Sequence, residues 1–198
     1  RPDFSLAYDL DRLHIPRGGS QLVTLQVARQ GYNDPIKLAT DALPPGVQLT
    51  GDTVPAGASL ALISLTATDD APLGTTIGRW VGSATGAGPK QPRYARQPDR
   101  PANRLVPWTR EELAVAVTDP TPIRVSWVAA AGDESLPAGG KLPIKVALRR
   151  DPAATGNVNL RLVTTQPMPK KTVKQNNMDA QVDDTERAVR LDALMPLP

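Results

Sequence analysis

The 198-residue chain has no cysteine, a single histidine (His14), and few aromatic residues: three Trp, three Tyr and one Phe. The missing cysteine removes disulfides, thiol nucleophiles and thiolate metal sites, and one histidine leaves little for transition-metal chemistry. It also leaves the redox compartment open. No long apolar run is present. The longest stretches, such as Leu60 to Ala67, are strand-sized and interrupted by Ser or Thr, whereas a spanning helix needs about 20 apolar residues. Charge of one sign is also scarce. Twenty-three Lys+Arg against twenty Asp+Glu give a net charge of +3, short of the dense basic footprint of nucleic-acid-binding domains. The chain opens Arg1-Pro2-Asp3-Phe4, without an initiator Met or an apolar signal segment. The expectation is a mature or excised piece whose targeting information lies elsewhere.

What the sequence has in quantity is proline and glycine, 21 and 15 residues. That content argues against a helical bundle and for short strands joined by turns. A repeat supports this reading. The segment His14–Arg29 aligns with Ser135–Arg150 at an offset of 121, placing Pro16 on Pro137, Gly18-Gly19 on Gly139-Gly140, and Arg29 on Arg150. Val23, Leu25 and Val27 then fall on Ile144, Val146 and Leu148, and upstream Phe4 and Leu6 fall on Val125 and Trp127. After one inserted residue the match resumes at 122, with Ile36, Leu38 and Pro45 on Val158, Leu160 and Pro167.

Both copies alternate apolar and polar residues with period two, the pattern of a sheet with one buried face. Further strands are expected at 36–40, 47–50, 60–68 and 76–84, and in the second copy at 123–129, 158–164 and about 188–193. Gly18-Gly19, Pro44-Pro45-Gly46, Pro55-Ala56-Gly57 and Pro72-Leu73-Gly74 punctuate them as turns. The expected fold class is all-β: two tandem β-sandwich domains joined by an extended Pro/Arg-rich linker. The first sandwich is expected over 1–86, the linker or arm over 87–111, and the second sandwich over 112–198. The second should be incomplete at its C-terminal end, because the counterpart of strand 76–84 would fall beyond Pro198. Met168 to Asn177 is read as a long polar loop.

Leu43-Pro44-Pro45-Gly46-Val47, then Pro55-Ala56-Gly57 before an alternating strand, then the turn Asp70-Ala71-Pro72-Leu73-Gly74-Thr75 and a closing strand 76–84 form a connected pattern. It resembles the bacterial immunoglobulin-like domains of large secreted or cell-surface proteins, a type often appended to secreted hydrolases. The resemblance implies that the two tandem domains are immunoglobulin-like β-sandwiches of seven strands, serving as spacer, stalk or adhesive module, extracellular, at the cell surface or periplasmic. It carries over no catalytic residues.

Candidate chemistry is sparse. His14 lacks the nucleophile, orienting group or further ligands that a base or metal site needs, and is read as a surface or strand-edge residue. The sixteen Asp and four Glu suit turns, where Asp binds nearby amides. Asp69-Asp70 and Asp183-Asp184 are the candidates for calcium, with solvated turns the plainer reading. Gly139-Gly140 precedes a strand, so it is no phosphate loop. The expectation is a non-enzyme without a cofactor.

The linker is the richest segment. Arg93, Tyr94, Arg96, Arg100, Arg104 and Trp108 interleave cations with aromatic rings, and are the candidate contacts for a partner protein or a glycan. Nucleic acid is disfavoured. A solvated arm with Val106-Pro107-Trp108 tucked against a neighbouring domain is the plain alternative. Of the tryptophans, Trp127 shares parity with Ile123 and Val125 and should fill the second core. Trp108 should be exposed or interfacial, and the face of Trp80 stays open. The partners expected are other domains of the same polypeptide or subunits of a larger assembly. Alternatives are a carbohydrate-binding accessory module using exposed Trp, and a subunit completed by strand donation.

Overall fold

The computed structural model describes residues 2–8, 10–97, 105–128, 139–175 and 178–191. Among them the chain is all-β apart from one 3-10 turn. It divides into two compact units, Arg1–Thr121 and Pro122–Pro198.

The first unit begins with β1 (Asp3–Ala7), β2 (Arg12–Pro16), β3 (Ser20–Gln30), β4 (Ile36–Thr40) and β5 (Val47–Thr50). β6 (Thr53–Val54), β7 (Leu60–Ala67), β8 (Gly74–Ala84), β9 (Arg93–Arg96) and β10 (Glu112–Thr118) complete it. β1, β3, β7 and β5 run side by side as antiparallel neighbours. β8 carries β10 at one end and β4 at the other, and β2 lies parallel to β10. The fold is sandwich-like, with the inward parity of each strand filling the space between these layers. β7 shows the alternation most plainly: Ala61, Ile63, Leu65 and Ala67 are buried and the residues between them are not. Phe4, Leu6, Leu25 and Ile63 meet Ile15, Ile36, Trp80 and Val115 in one continuous core. At Gly82 an added Cβ would stand 2.6 Å from Leu6 Cδ1 and 2.9 Å from Ile36 Cγ2, so the absent side chain is what lets the layers close there.

The expected linker is the main correction. β9 lies within residues 87–111 and is hydrogen-bonded on both sides, to β8 (Val81↔Tyr94) and in parallel to β1 (Leu6↔Ala95). It connects the two layers into one sheet path, β2-β10-β8-β9-β1-β3-β7-β5. β10 lies beyond residue 111, yet Leu113, Val115 and Val117 are buried in the first core. The first unit therefore runs to Thr121, not to residue 86. The physical reason is that β8 has an edge that β10 occupies along six residue pairs; without it that side of the core would be wet.

The second unit contains β11 (Ile123–Val128), β12 (Lys145–Arg150), β13 (Lys170–Gln175) and β14 (Met178–Asp183). β11 pairs with β12 and β13 with β14, both antiparallel. The stretch read as a polar loop, 168–177, thus supplies β13. Its alternation is masked in sequence because Lys170 and Lys174 stand opposite Asp183 and Asp179 across the hairpin, and Lys170 forms an ion pair with Asp183 on an exposed face. The strand expected at 158–164 is not formed; only an isolated bridge residue lies there. Of the strand expected near 188–193, residues 188–191 are not extended in a sheet, and the remainder lies outside the described residues. Among the described residues no hydrophobic side chain after Val117 is buried. The side chain of Trp127 lies outside them.

Two features recur at the offset of the sequence repeat. Gly18 and Gly139 both have positive φ, 63° and 71°. β11 also pairs with β12 as β1 pairs with β3, shifted by two residues: Leu6 faces Val27 in the first unit and Trp127 faces Val146 in the second. A shift of two keeps every side chain on its own face.

Candidate docking surface

The arm after β8 is fastened at three points. Arg93 donates from Nε to Asp3 Oδ1 (2.9 Å) and from Nη2 to Asp3 Oδ2 (2.7 Å), a fork on the first strand. Arg96 donates from Nε and Nη2 to Glu111 Oε1 at 3.0 and 2.8 Å, closing the arm on its own return. Gln97 is buried and donates from Nε2 to the Glu112 carbonyl, while its backbone N–H donates to the Arg110 carbonyl. The Arg93 guanidinium, through its hydrogen bonds, holds the Asp3 carboxyl below the usual carboxylate range. Burial, with Glu111 and Glu112 nearby, raises the Tyr8 phenol well above its ordinary value.

Of the six residues singled out in sequence, the structure brings Arg93, Tyr94 and Arg96 onto β9 and turns the two arginines to internal carboxylates. Tyr94 is exposed at the surface, but the Arg79 guanidinium stacks over its ring at 5.1 Å. Arg79 is itself held by Asp41, through its backbone N–H (2.6 Å) and Nε (3.0 Å), and the first of these bonds is the main cause of the lowered Asp41 pKa. One face of Tyr94 is therefore already taken by a cation. Arg100 and Arg104 lie outside the described residues.

Trp108 stands in the 3-10 turn Pro107–Glu111 and is 66% exposed, with Leu105 three residues before it 88% exposed. They are two large apolar side chains in solvent. Trp80, whose face the sequence left open, is 2% exposed inside the first core, which removes it from any surface platform.

The remaining candidates separate. His14 is exposed on β2, and with Arg12, Leu13 and Gln21 it lines a shallow open depression of about 360 Å3 whose lining, among the described residues, holds neither a carboxylate nor a hydroxyl nucleophile. Asp70 is exposed, and the Thr68 hydroxyl lowers its pKa. Asp183 accepts from Lys170, and buried Asp184 has Lys171 and Arg187 at 3.8 and 3.5 Å. These carboxylates face protein cations. Among the described residues no group of three or more His, Asp or Glu side chains is placed to hold a metal ion, and no helix is long and apolar enough to cross a membrane. No family model matches the chain, and no curated protein matches it.

Sequence reasoning missed a further arginine. Arg29 donates Nε to the Ala58 carbonyl (2.8 Å), Nη1 to those of Tyr32 (3.0 Å) and Asp34 (2.9 Å), and Nη2 to that of Pro55 (2.8 Å). Its signal was present as the repeat match Arg29/Arg150, without anything to say what the side chain binds.

Proposed function

We propose that the chain is a non-catalytic spacer or docking module, two tandem immunoglobulin-like sandwiches within a larger extracellular or cell-envelope protein or complex. The shared glycine conformation at Gly18 and Gly139 and the repeated β1–β3 and β11–β12 pairing support the tandem reading. The observation that carries the docking role is the arm. Arg93 and Arg96 are spent on Asp3 and Glu111, and what the described part of the arm offers outward is the apolar pair Leu105 and Trp108. Exposed aromatic side chains are where protein contact surfaces concentrate binding energy.

The exposure of Trp108 also favours a second reading, a carbohydrate-binding accessory module stacking the indole on a sugar ring. One experiment separates them. Wild-type chain and Trp108→Ala are passed over insoluble polysaccharides, and the polysaccharides are assayed for released sugar. The docking reading expects no retention and no release. Retention lost in Trp108→Ala transfers the role to glycan binding, and sugar release would overturn both.

A further inference from the structure

The outward positions of one layer of the first unit hold no charge. On β3 they are Ser20, Leu22, Thr24, Gln26 and Ala28, set around the buried Val23, Leu25 and Val27. On β7 they are Leu60, Leu62, Ser64 and Thr66. The register extends the same face to Gln48 and Thr50 of β5, opposite Thr66 and Ser64, and to Ala7 and Ser5 of β1, opposite Gln26 and Ala28. Charge appears at the β1 margin, where it is already paired: Asp3 with Arg93, and Arg96, beside Ala7, with Glu111.

The other layer differs. Its outward positions carry Arg12 on β2, Lys37 on β4, Arg79 on β8 and Glu112 on β10. A well-solvated surface carries about 25–35% charged residues, and the chain as a whole has 22%. Composition therefore does not account for a charge-free face on one side of a core and a charged one on the other.

The uncharged face is built like a contact surface. Leu22 is 45% exposed and stands on the diagonal from Leu62, which faces Thr24, while Leu60 follows opposite Gln26. Hydroxyl and amide side chains surround these leucines, giving an apolar centre depleted of charge with a polar rim.

A second copy of the chain is the occupant that this chemistry fits. A two-fold axis that brings the face against itself sets no like charges together. Hydroxyls and amides both donate and accept, so a group can pair with its own symmetry mate. Ser20 Oγ and Thr66 Oγ1 already make such a like-with-like bond inside one copy, at 2.7 Å. A charged partner would have its ions desolvated against leucine with nothing to pair them, and the face has no aromatic ring on which a sugar could stack. Strand spacing and rise give the face roughly 400 Å2 in plan. With side-chain relief, two copies bury on the order of 1,000 Å2, enough for a weak specific dimer and too little for an obligate one.

We infer that the outer face of β1, β3, β7 and β5 is a two-fold contact between copies of the chain, sheet stacked on sheet about 10 Å apart, with Leu22 and Leu62 at its centre. The contact needs neither Leu105 nor Trp108, so its failure and the failure of the arm as a docking surface are distinguishable.

Sedimentation equilibrium on the full chain tests it. A monomer–dimer equilibrium is expected, with a Kd of roughly 10–100 μM for so small an area. It should hold from about 0.05 to about 0.5 M salt, because the contact has no charges to screen. Thr24→Lys and Leu62→Lys each place a cation on the face, and each should weaken the dimer about tenfold or more. Both positions point away from the core, so both variants should melt with the wild type at concentrations where it is monomeric. Ile77→Lys, at a 61% exposed position of the other layer, should leave the Kd unchanged. A chain still monomeric at about 1 mM, a dimer that survives both Lys variants, one lost equally in Ile77→Lys, or one that dissolves in salt would each overturn the inference. Retention on an insoluble uncharged polysaccharide that Thr24→Lys abolishes would overturn it too, by giving the face to a glycan.

Discussion

Arg93 grips Asp3 across ninety residues of sequence, Nη2 to Oδ2 at 2.7 Å, and so locks the arm onto the first strand. The carboxyl pKa is lowered by that hydrogen bond first and by the Phe4 amide second. A carboxyl depressed on folding binds fewer protons folded than unfolded. Its stabilisation is whole above the unfolded value of about 3.9 and is lost as pH falls through the lower folded value. Asp41, Asp52 and Asp70 shift the same way, through Arg79, Lys37 and Thr68. The melting temperature of the first unit should therefore drop on acidification from about pH 5 to pH 2.5. Asp3→Asn should melt lower at neutral pH and show a shallower acid decline. An unchanged acid slope in Asp3→Asn would show that the pair is not coupled to folding.

Leu113 tests where the first unit ends. It is 1% exposed on β10 and faces Gly78 of β8. If β10 is part of the first core, Leu113→Ala should cost about 2–5 kcal/mol in urea unfolding of a 1–121 fragment. A fragment ending at residue 97 should fail to fold cooperatively. A 1–97 fragment with the same midpoint as 1–121 would place β10 outside the core.

β10 also shows how much of this fold was legible in sequence. Leu113, Val115 and Val117 alternate as cleanly as Val23, Leu25 and Val27, and the strand itself was there to be found. Its membership was not, because β10 lies between β8 and β2, so that Ala114 faces Arg12 about a hundred residues away. Alternation reports a buried face and says nothing about which sheet supplies the cover. β9 was harder. Of its four residues only Ala95 is buried, too short a run for any period, and its charges suggested solvent while Arg93 was in fact reaching Asp3. For the candidate surface, Trp108 was read correctly as exposed or interfacial, whereas Arg93 and Arg96 carried a basic signal that Asp3 and Glu111 cancel in space.

Tyr32 is a second test of how loops are held to the core. Its hydroxyl accepts from the Thr85 and Gly86 amides at 2.9 and 3.1 Å and donates to the Pro35 carbonyl at 3.0 Å, while its ring packs on Phe4 with centroids 5.5 Å apart. Tyr32→Phe keeps the ring and strips all three bonds. The expected loss is about 1–3 kcal/mol, since two backbone amides and a carbonyl lose a buried partner. Amide exchange should rise at Thr85 and Gly86 while the β3 amides stay protected. A uniform rise across the first unit would mean that the hydroxyl is not a local clamp.

Arg29 offers the last prediction. Four donations from one guanidinium tie three loop positions, Tyr32, Asp34 and Pro55, and the Ala58 carbonyl to the end of β3. A lysine there has three donors on a single nitrogen and cannot reach carbonyls set around a planar fork. Arg29→Lys should therefore destabilise the first unit by about 1–3 kcal/mol despite keeping the charge. Arg150→Lys should leave the melting of the first unit unchanged, since Arg150 belongs to the second. Arg29→Lys should also speed amide exchange at Leu25 and Val27, whose N–H groups face β7. Unchanged exchange at both amides would mean that the fork does not hold this end of β3 against β7.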